Sequence, residues 1–177
     1  MKKTTKILAS VAVLCALILA GCSKENTTAY IDLGTWQLMD DGTVRDHYIE
    51  SYSTIKGSDI KSIFSAAGIS ESDLDRLKEV KLDTLRIEAE GGHLLDAYDF
   101  GDVAFVRDAD TVKVAYAGTI DKTAAEVKME SQFNDLAKFV NFTDFKIRTR
   151  VYRNVAAPTG ARVLTGHLRL RVVVAPK

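Results

Sequence analysis

The strongest constraint on the fold is a set of short segments in which apolar and polar residues alternate. Successive side chains of a β-strand point to opposite faces, so this alternation is typical of strands that bury one face. The pattern predicts an all-β domain with short helices, built as an antiparallel β-sandwich of about seven or eight strands. The predicted strands are 34–39, 43–55, 80–90, 101–107, 111–118, 124–131, 143–153 and 161–175.

Two finer features of these strands can also be predicted. The inward-facing set of strand 80–90 shifts near Asp83 or Thr84, which indicates a β-bulge. Segment 34–39 could pair with 43–55 as a hairpin, since turn-forming residues separate the two.

Two short amphipathic helices are expected between the second and third strands. The first, over about 58–67, has apolar residues at helical spacing and ends near Gly68. The second, over about 70–79, begins with Ser70 and Asp73, which resemble a capping box. Helices this short need a surface to pack on, so we expect them to cover an edge or an end of the sheets.

The N-terminal residues have the composition of an export signal. Lys2, Lys3 and Lys6 form a positive segment, and a largely apolar run follows over 7–20. This run is shorter than the ~20 residues that a membrane-spanning helix needs, and small residues end it. The sequence therefore predicts a cleaved signal.

Residues 19–22 read Leu-Ala-Gly-Cys and resemble the lipobox of bacterial lipoproteins. The resemblance implies cleavage between Gly21 and Cys22, a diacylglycerol on the Cys22 thiol and usually a third acyl chain on the new amino terminus. Under the enterobacterial sorting rule, Ser23 in place of Asp implies the outer membrane of a Gram-negative bacterium. The alternative is an ordinary secretory signal with a chance cysteine. The expected organisation is a signal peptide over 1–21, a lipidated cysteine and tether over 22–29, and one domain over 30–177.

A second resemblance covers about residues 78–175. The chain is similar in layout to bacterial envelope lipoproteins of uncharacterised function, through the segments VKLDTLRIEAEGG, YDFGDVAFVRDAD, VKVAYAGTI and DLAKFV and a long final pair of strands. That family implies a β-sandwich in the cell envelope and carries over no catalytic residues.

Export would leave the chain without a free thiol, because Cys15 leaves with the signal and Cys22 carries the lipid. Disulfides, thiolate metal sites and a cysteine nucleophile are then excluded. Residues 1–21 contain three of the 24 basic residues and no acidic residue, so the exported chain is slightly acidic. Such a chain outside the cytoplasm is not expected to bind nucleic acid, and we expect no cofactor.

The sequence contains no motif typical of catalysis. It has no Gly-x-Ser-x-Gly elbow, no Walker loop and no Gly-x-Gly-x-x-Gly, and His47, His93 and His167 show no paired spacing. The sequence therefore favours a non-catalytic protein, and an exported hydrolase based on His and Asp is the least favoured alternative.

Acidic side chains cluster around the fourth predicted strand. Asp96, Asp99 and Asp102 could supply oxygen ligands to Ca²⁺, which binds six to eight of them. The spacing of an EF-hand is absent, and the favoured interpretation is a solvated loop whose Asp side chains bond the local backbone. We therefore predict no metal, with these three residues as the only candidates.

The last two predicted strands are expected to form a hairpin through Pro158-Thr159-Gly160, with one strongly basic face. Like charges that lie opposite each other repel, so this face needs anions. The favoured source is a set of glutamates on other strands, and the alternative is a lipid phosphate, an acidic glycan or the acidic face of a partner. The basic residues are Lys146, Arg148, Arg150, Arg169 and Arg171, and the candidate glutamates are Glu88, Glu90, Glu126 and Glu130.

Aromatic residues allow two interpretations. Their alternating and helical spacing favours the core, and the alternative is the floor of a ligand pocket or a platform for a glycan. The residues concerned are Trp36, Tyr48, Tyr52, Phe64 and Phe100.

These observations favour a lipid-anchored, non-catalytic module that binds a partner or supports an assembly in the cell envelope. The alternative function is binding of an anionic glycan or lipid head group by the basic face. Steep salt dependence of binding would favour the anionic ligand over the protein partner.

The predicted register of the last strand can be tested with neighbouring substitutions. Arg169→Ala should lower the free energy of unfolding by well under about 1 kcal/mol if the side chain is exposed. Leu170→Ala should lower it by about 2–5 kcal/mol because it leaves a cavity in the core. Urea unfolding measures both, and equal losses would show that the register is wrong.

Overall fold

The computed structural model describes residues 25–42, 47–132, 134–154 and 160–176. Within these residues the chain forms two antiparallel sheets that pack face to face. The predicted class, an antiparallel β-sandwich with short helices, is confirmed. The predicted signal peptide over 1–21, the lipidation site Cys22 and turn residues 158–159 lie outside the described residues.

The described part of the chain contains nine strands in two sheets. The four-stranded sheet has the order β1-β9-β3-β6, and the five-stranded sheet has the order β2-β8-β4-β5-β7. Most connections between consecutive strands therefore cross from one sheet to the other. The strands are β1 (Thr27–Asp40), β2 (Tyr48–Ile55), β3 (Leu77–Ala89), β4 (Tyr98–Arg107), β5 (Asp110–Ala117), β6 (Glu126–Lys128), β7 (Glu130–Ser131), β8 (Phe145–Arg153) and β9 (Arg162–Val174).

One α-helix, α1 (Gly57–Ala66), follows β2. It buries Ile60 and Phe64, and the Phe64 ring meets Phe142 edge to face at 5.8 Å. The helix covers the end of the sandwich at which β1 and β8 begin and β9 ends, which we call the helical end. No helix in the described residues is long and apolar enough to cross a membrane.

The second predicted helix is shorter than expected. The capping box of Ser70 and Asp73 is present, but it opens a 3₁₀ turn, Glu71–Arg76, and β3 begins at Leu77. The Ser70 backbone N–H and hydroxyl hold the pKa of Asp73 down to about 2. The prediction of a helix over 70–79 is wrong at its C-terminal end because pairing of Leu77 with β9 overrides the local helical spacing.

Two predicted strands pair differently in the structure from what the sequence suggested. Segment 34–39 belongs to β1, which pairs with β9 and not with β2, so the predicted first hairpin is wrong. Segment 124–131 is split at the buried Met129 into β6 and β7, which join different sheets. Alternation defines the face of a residue but does not select the strand that it pairs with.

Besides a register shift at the start of β3, between Leu77 and Glu79, two β-bulges lie in the four-stranded sheet. The register of β3 shifts between Leu82 and Thr84, which confirms the predicted bulge. The register of β1 shifts between Asp32 and Thr35, where Gly34 has a positive φ and donates its N–H to the Asp32 side chain at 2.8 Å. Only glycine adopts this backbone conformation at little cost.

Trp36 joins the two sheets near the centre of the core. Its Nε1–H donates to Thr149 Oγ1 at 2.7 Å, across the sandwich from β1 to β8. Its partner in the β1–β9 register is Gly166, and a Cβ added to Gly166 would lie 2.3 Å from the indole ring. The absence of a side chain at position 166 is therefore what makes room for the tryptophan.

A buried ion pair joins the sheets at the end opposite the helical end. Arg153 Nη1 lies 2.9 Å from Asp40 Oδ1, and both side chains are 1% exposed. The Tyr98 hydroxyl donates to Asp40 Oδ2 at 2.7 Å. Burial, and next the Asp40 carboxylate, raise the pKa of Tyr98 well above its usual value. The Asp40 carboxylate, at the end of β1, thus binds one side chain at the end of β8 and one at the start of β4.

Gly166→Ala should destabilise the protein by about 1–3 kcal/mol, because the new methyl group overpacks the Trp36 ring. Gly160→Ala is the matched control, since a Cβ there meets no atom within 4 Å. Urea unfolding of both variants provides the measurement. A neutral Gly166→Ala would show that the indole does not lie on this glycine.

Arg153→Met should cost about 3–5 kcal/mol because it leaves the Asp40 carboxylate buried without its cation. Tyr98→Phe is the milder comparison, at about 1–3 kcal/mol, since the ion pair survives the loss of one hydrogen bond. Thermal or urea unfolding ranks the two variants. The reverse order would mean that the hydroxyl, not the guanidinium, neutralises Asp40.

Candidate functional site

The predicted basic face does not form as one surface. β8 lies in the five-stranded sheet and β9 in the four-stranded sheet, so the predicted final hairpin is wrong. Its inward residues are nevertheless buried as expected, as Ile147 and Leu170 illustrate. The basic residues are divided between the two outer faces of the sandwich: Lys146, Arg148 and Arg150 on one, and Arg169 and Arg171 on the other.

The arginines of the five-stranded sheet have carboxylate partners within the chain. Arg150 Nε lies 2.5 Å from Glu50 Oε1, and this hydrogen bond raises the pKa of Arg150. Arg148 lies between two acids, with Nη2 3.4 Å from Asp102 and Nε 3.8 Å from Glu50. These four side chains form a charge network on β2, β8 and β4.

The arginines of the four-stranded sheet are paired in the same way. Arg169 Nε lies 2.6 Å from Asp83 Oδ2, and Arg171 pairs with Glu79. A hydrogen bond from Lys81, and next the charge of Arg171, lower the pKa of Glu79. The anions are therefore intramolecular, although they are not the four glutamates that the sequence suggested.

The three candidate calcium ligands are not brought together. Asp96 pairs with Arg162, Asp99 with Lys122 and Asp102 with Arg148. The hydrogen bond from Arg162 lowers the pKa of Asp96. Among the described residues no group of three His, Cys, Asp or Glu side chains is placed to hold a metal ion.

The outer face of the five-stranded sheet also carries a group of neighbouring aromatic side chains, which we call the aromatic face. The Phe100 and Tyr152 rings stack at 4.1 Å and 15°, and Tyr48 meets Tyr152 at 5.6 Å. The Arg150 guanidinium lies over the Tyr48 ring at 5.2 Å. The aromatic face consists of Tyr48 (40% exposed), Tyr52 (51%), Phe100 (43%), Tyr116 (38%) and the half-buried Tyr152.

The aromatic face corrects part of the sequence-based interpretation. Trp36 and Phe64 lie in the core as predicted, but Tyr48, Tyr52 and Phe100 are exposed. Strand β2 presents its tyrosines outward and turns its serines and isoleucines toward the core, the inverse of the predicted orientation. A tyrosine has an apolar ring and a polar tip, so composition alone does not decide which face it takes.

The geometry of the aromatic face favours contact with another protein. The Phe100 and Tyr152 rings are stacked, so each ring covers part of one face of the other. A glycan platform offers free ring faces, whereas protein interfaces are enriched in Tyr, Phe and Arg whatever the orientation of the rings. The adjacent charges are already neutralised, so covering them leaves no unpaired ion.

A shallow depression of about 380 Å³ lies on the opposite outer face, over the two bulges. Arg86, Lys128, His167 and Arg169 line it together with Asp32 and Glu126. Arg86 lies 2.9 Å from Glu126, and His167 Nε2 lies 3.8 Å from Glu88. Mixed charge of this kind gives the depression no strong preference for an anion.

No family model and no curated protein matches the chain. Among solved structures it is similar to the decameric BFDV capsid protein, at 11% identity over 85% of this chain and 99% of that chain, with a TM-score of 0.43. It is also similar to mud crab tombus-like virus (8% identity, 91% and 98% covered, TM-score 0.34) and turnip yellow mosaic virus (13%, 88% and 97%, 0.26). Similarity at this level carries no inference about function.

Proposed function

We propose that this chain is a lipid-anchored, non-catalytic binding module of the bacterial cell envelope. Acyl chains on Cys22 hold it on the outer membrane of a Gram-negative bacterium, and the aromatic face contacts a partner protein. The observation that carries the proposal is the aromatic face, where four large aromatic side chains remain at least 38% exposed on the outer face of one sheet. Exposed aromatic patches on soluble domains commonly mark interaction sites.

The position of the anchor fits this use of the aromatic face. Cys22 precedes the first residue of β1, Thr27, by five residues, which span at most about 18 Å when extended. β1 begins at the helical end, so that end stays near the membrane and the strands run away from it. The aromatic face then lies to the side of the domain, open to a neighbour on the same membrane. Two or three acyl chains make such an anchor durable.

The alternative, binding of an anionic glycan or lipid head group, has less support. Arg148, Arg150, Arg169 and Arg171 each have a carboxylate partner within the chain. An external anion would have to displace that partner.

Photo-crosslinking in cells tests the proposal with the full-length chain. A benzoylphenylalanine at position 52, on the aromatic face, should give discrete adducts with protein. The matched control is the same group at position 30, because Tyr30 is at least as exposed, at 56%, but lies on the other sheet. Cys22→Ser should move the protein from the membrane fraction to the soluble fraction and reduce the adducts.

Two results would contradict the proposal. Adducts of equal yield from positions 52 and 30 would remove the aromatic face as the site of contact. Retention of Cys22→Ser in the membrane fraction would remove the lipid anchor.

A further inference from the structure

The outward side chains of the five-stranded sheet are arranged in a regular grid. Residues directly opposite each other in antiparallel strands share a face, so the pairing registers define rows across β2, β8, β4 and β5. In that strand order the four rows are Tyr48-Tyr152-Phe100, Glu50-Arg150-Asp102-Tyr116, Tyr52-Arg148-Ala104-Lys113 and Thr54-Lys146-Val106-Thr111.

This grid is complementary to itself. A two-fold axis parallel to the strands and midway between β8 and β4 exchanges β8 with β4 and β2 with β5 between two copies. Tyr152 then lies opposite Phe100, and Arg150 lies opposite Asp102. Unlike charges and aromatic rings therefore meet at the centre of the contact.

The outer parts of the rows match as well. The same axis places Tyr52 of one copy opposite Lys113 of the other, as a cation–π pair. It places the Glu50 carboxylate opposite the Tyr116 hydroxyl, a hydrogen-bond donor.

Other positions of the axis fit less well. An axis directly over β8 would place Arg150 opposite Arg150, and like charges in contact are unfavourable. An axis between β2 and β8 would oppose Glu50 and Arg150 but would leave β4 and β5 outside the contact. The axis between β8 and β4 combines unlike charges with overlap of four strands.

We propose that the partner of the aromatic face is a second copy of this chain. The inference rests on the proposed function, because both copies must be anchored in one membrane. An axis parallel to the strands meets that condition, since it keeps both helical ends on the same side. Two packed sheets keep their strands within about 30° of each other, so the rows match best at the centre.

The size of the contact explains why the anchor matters. Four strands about 4.8 Å apart and four rows about 7 Å apart give about 500 Å² on each copy. The total of about 1,000 Å² lies below the roughly 1,200–2,000 Å² of stable complexes. The dimer should therefore be weak in solution and form when the anchor raises the effective concentration.

Energy transfer between two fluorescent labels on full-length chains in phospholipid vesicles tests the proposal. The wild-type chain should show transfer. Tyr52→Lys should weaken association about tenfold or more, because the new cation opposes Lys113 of the other copy. Lys113→Glu alone should weaken association only a few-fold, because it removes the cation–π pairs without adding a like charge. A mixture of donor-labelled Tyr52→Lys and acceptor-labelled Lys113→Glu should recover transfer. Tyr30→Lys, on the other sheet, should have no effect.

The results distinguish a failure of the proposed self-association from a failure of the proposed function. Recovery in the mixture supports the two-fold contact, since a folding defect in Tyr52→Lys would not be cured by a second chain. Absence of recovery overturns the proposed axis. Absence of transfer in the wild type, with position 52 crosslinked in cells to a different protein, overturns self-association and leaves the proposed function intact. Absence of both transfer and crosslinks overturns both proposals.

Discussion

The buried pair of Asp40 and Arg153 is the interaction on which the relative placement of the two sheets depends. Each charge is almost fully removed from water, so each is stable there only while the other is in place. Because Asp40 ends β1 and Arg153 ends β8, the pair fixes how far one sheet is displaced along the other. The hydrogen bond from Trp36 to Thr149 repeats that constraint nearer the centre. Together these contacts hold β8 in position, and β8 carries the side chains around which the aromatic face is built.

The sequence could predict the face of most strand residues but not the partner of each strand. Leu170 and Ile147 are inward and Arg169 is outward, as their alternation indicated. Alternation contains no information on whether β8 and β9 pair, and here they lie in different sheets. The candidate basic face therefore could not be assembled correctly from the sequence, because it required that pairing.

The aromatic face could be predicted only in part, for a chemical reason. Tyr48 and Tyr52 were recognised as possible platform residues, but their apolar rings favoured the core. What places them outside is the opposite side of β2, where Ile49 and Ile55 pack against the core. The alternation of β8 indicated that Tyr152 is outward, as it is, whereas Tyr116 was missed although it lies between the inward-facing Ala115 and Ala117. The local pattern around a tyrosine was thus more informative than the tyrosine itself.

The bulge in β1 has a consequence for the membrane-anchored state that we propose, in which chains are held at high density. β1 is a long edge strand, and the unpaired N–H and C=O groups of an edge strand can template pairing with another chain. The shift between Asp32 and Thr35, with Gly34 in the left-handed region, interrupts the even spacing of these groups halfway along the strand. A neighbouring molecule can therefore not extend the sheet along the whole of β1. Crowding on a membrane would then favour contacts between sheet faces over the growth of continuous fibrils.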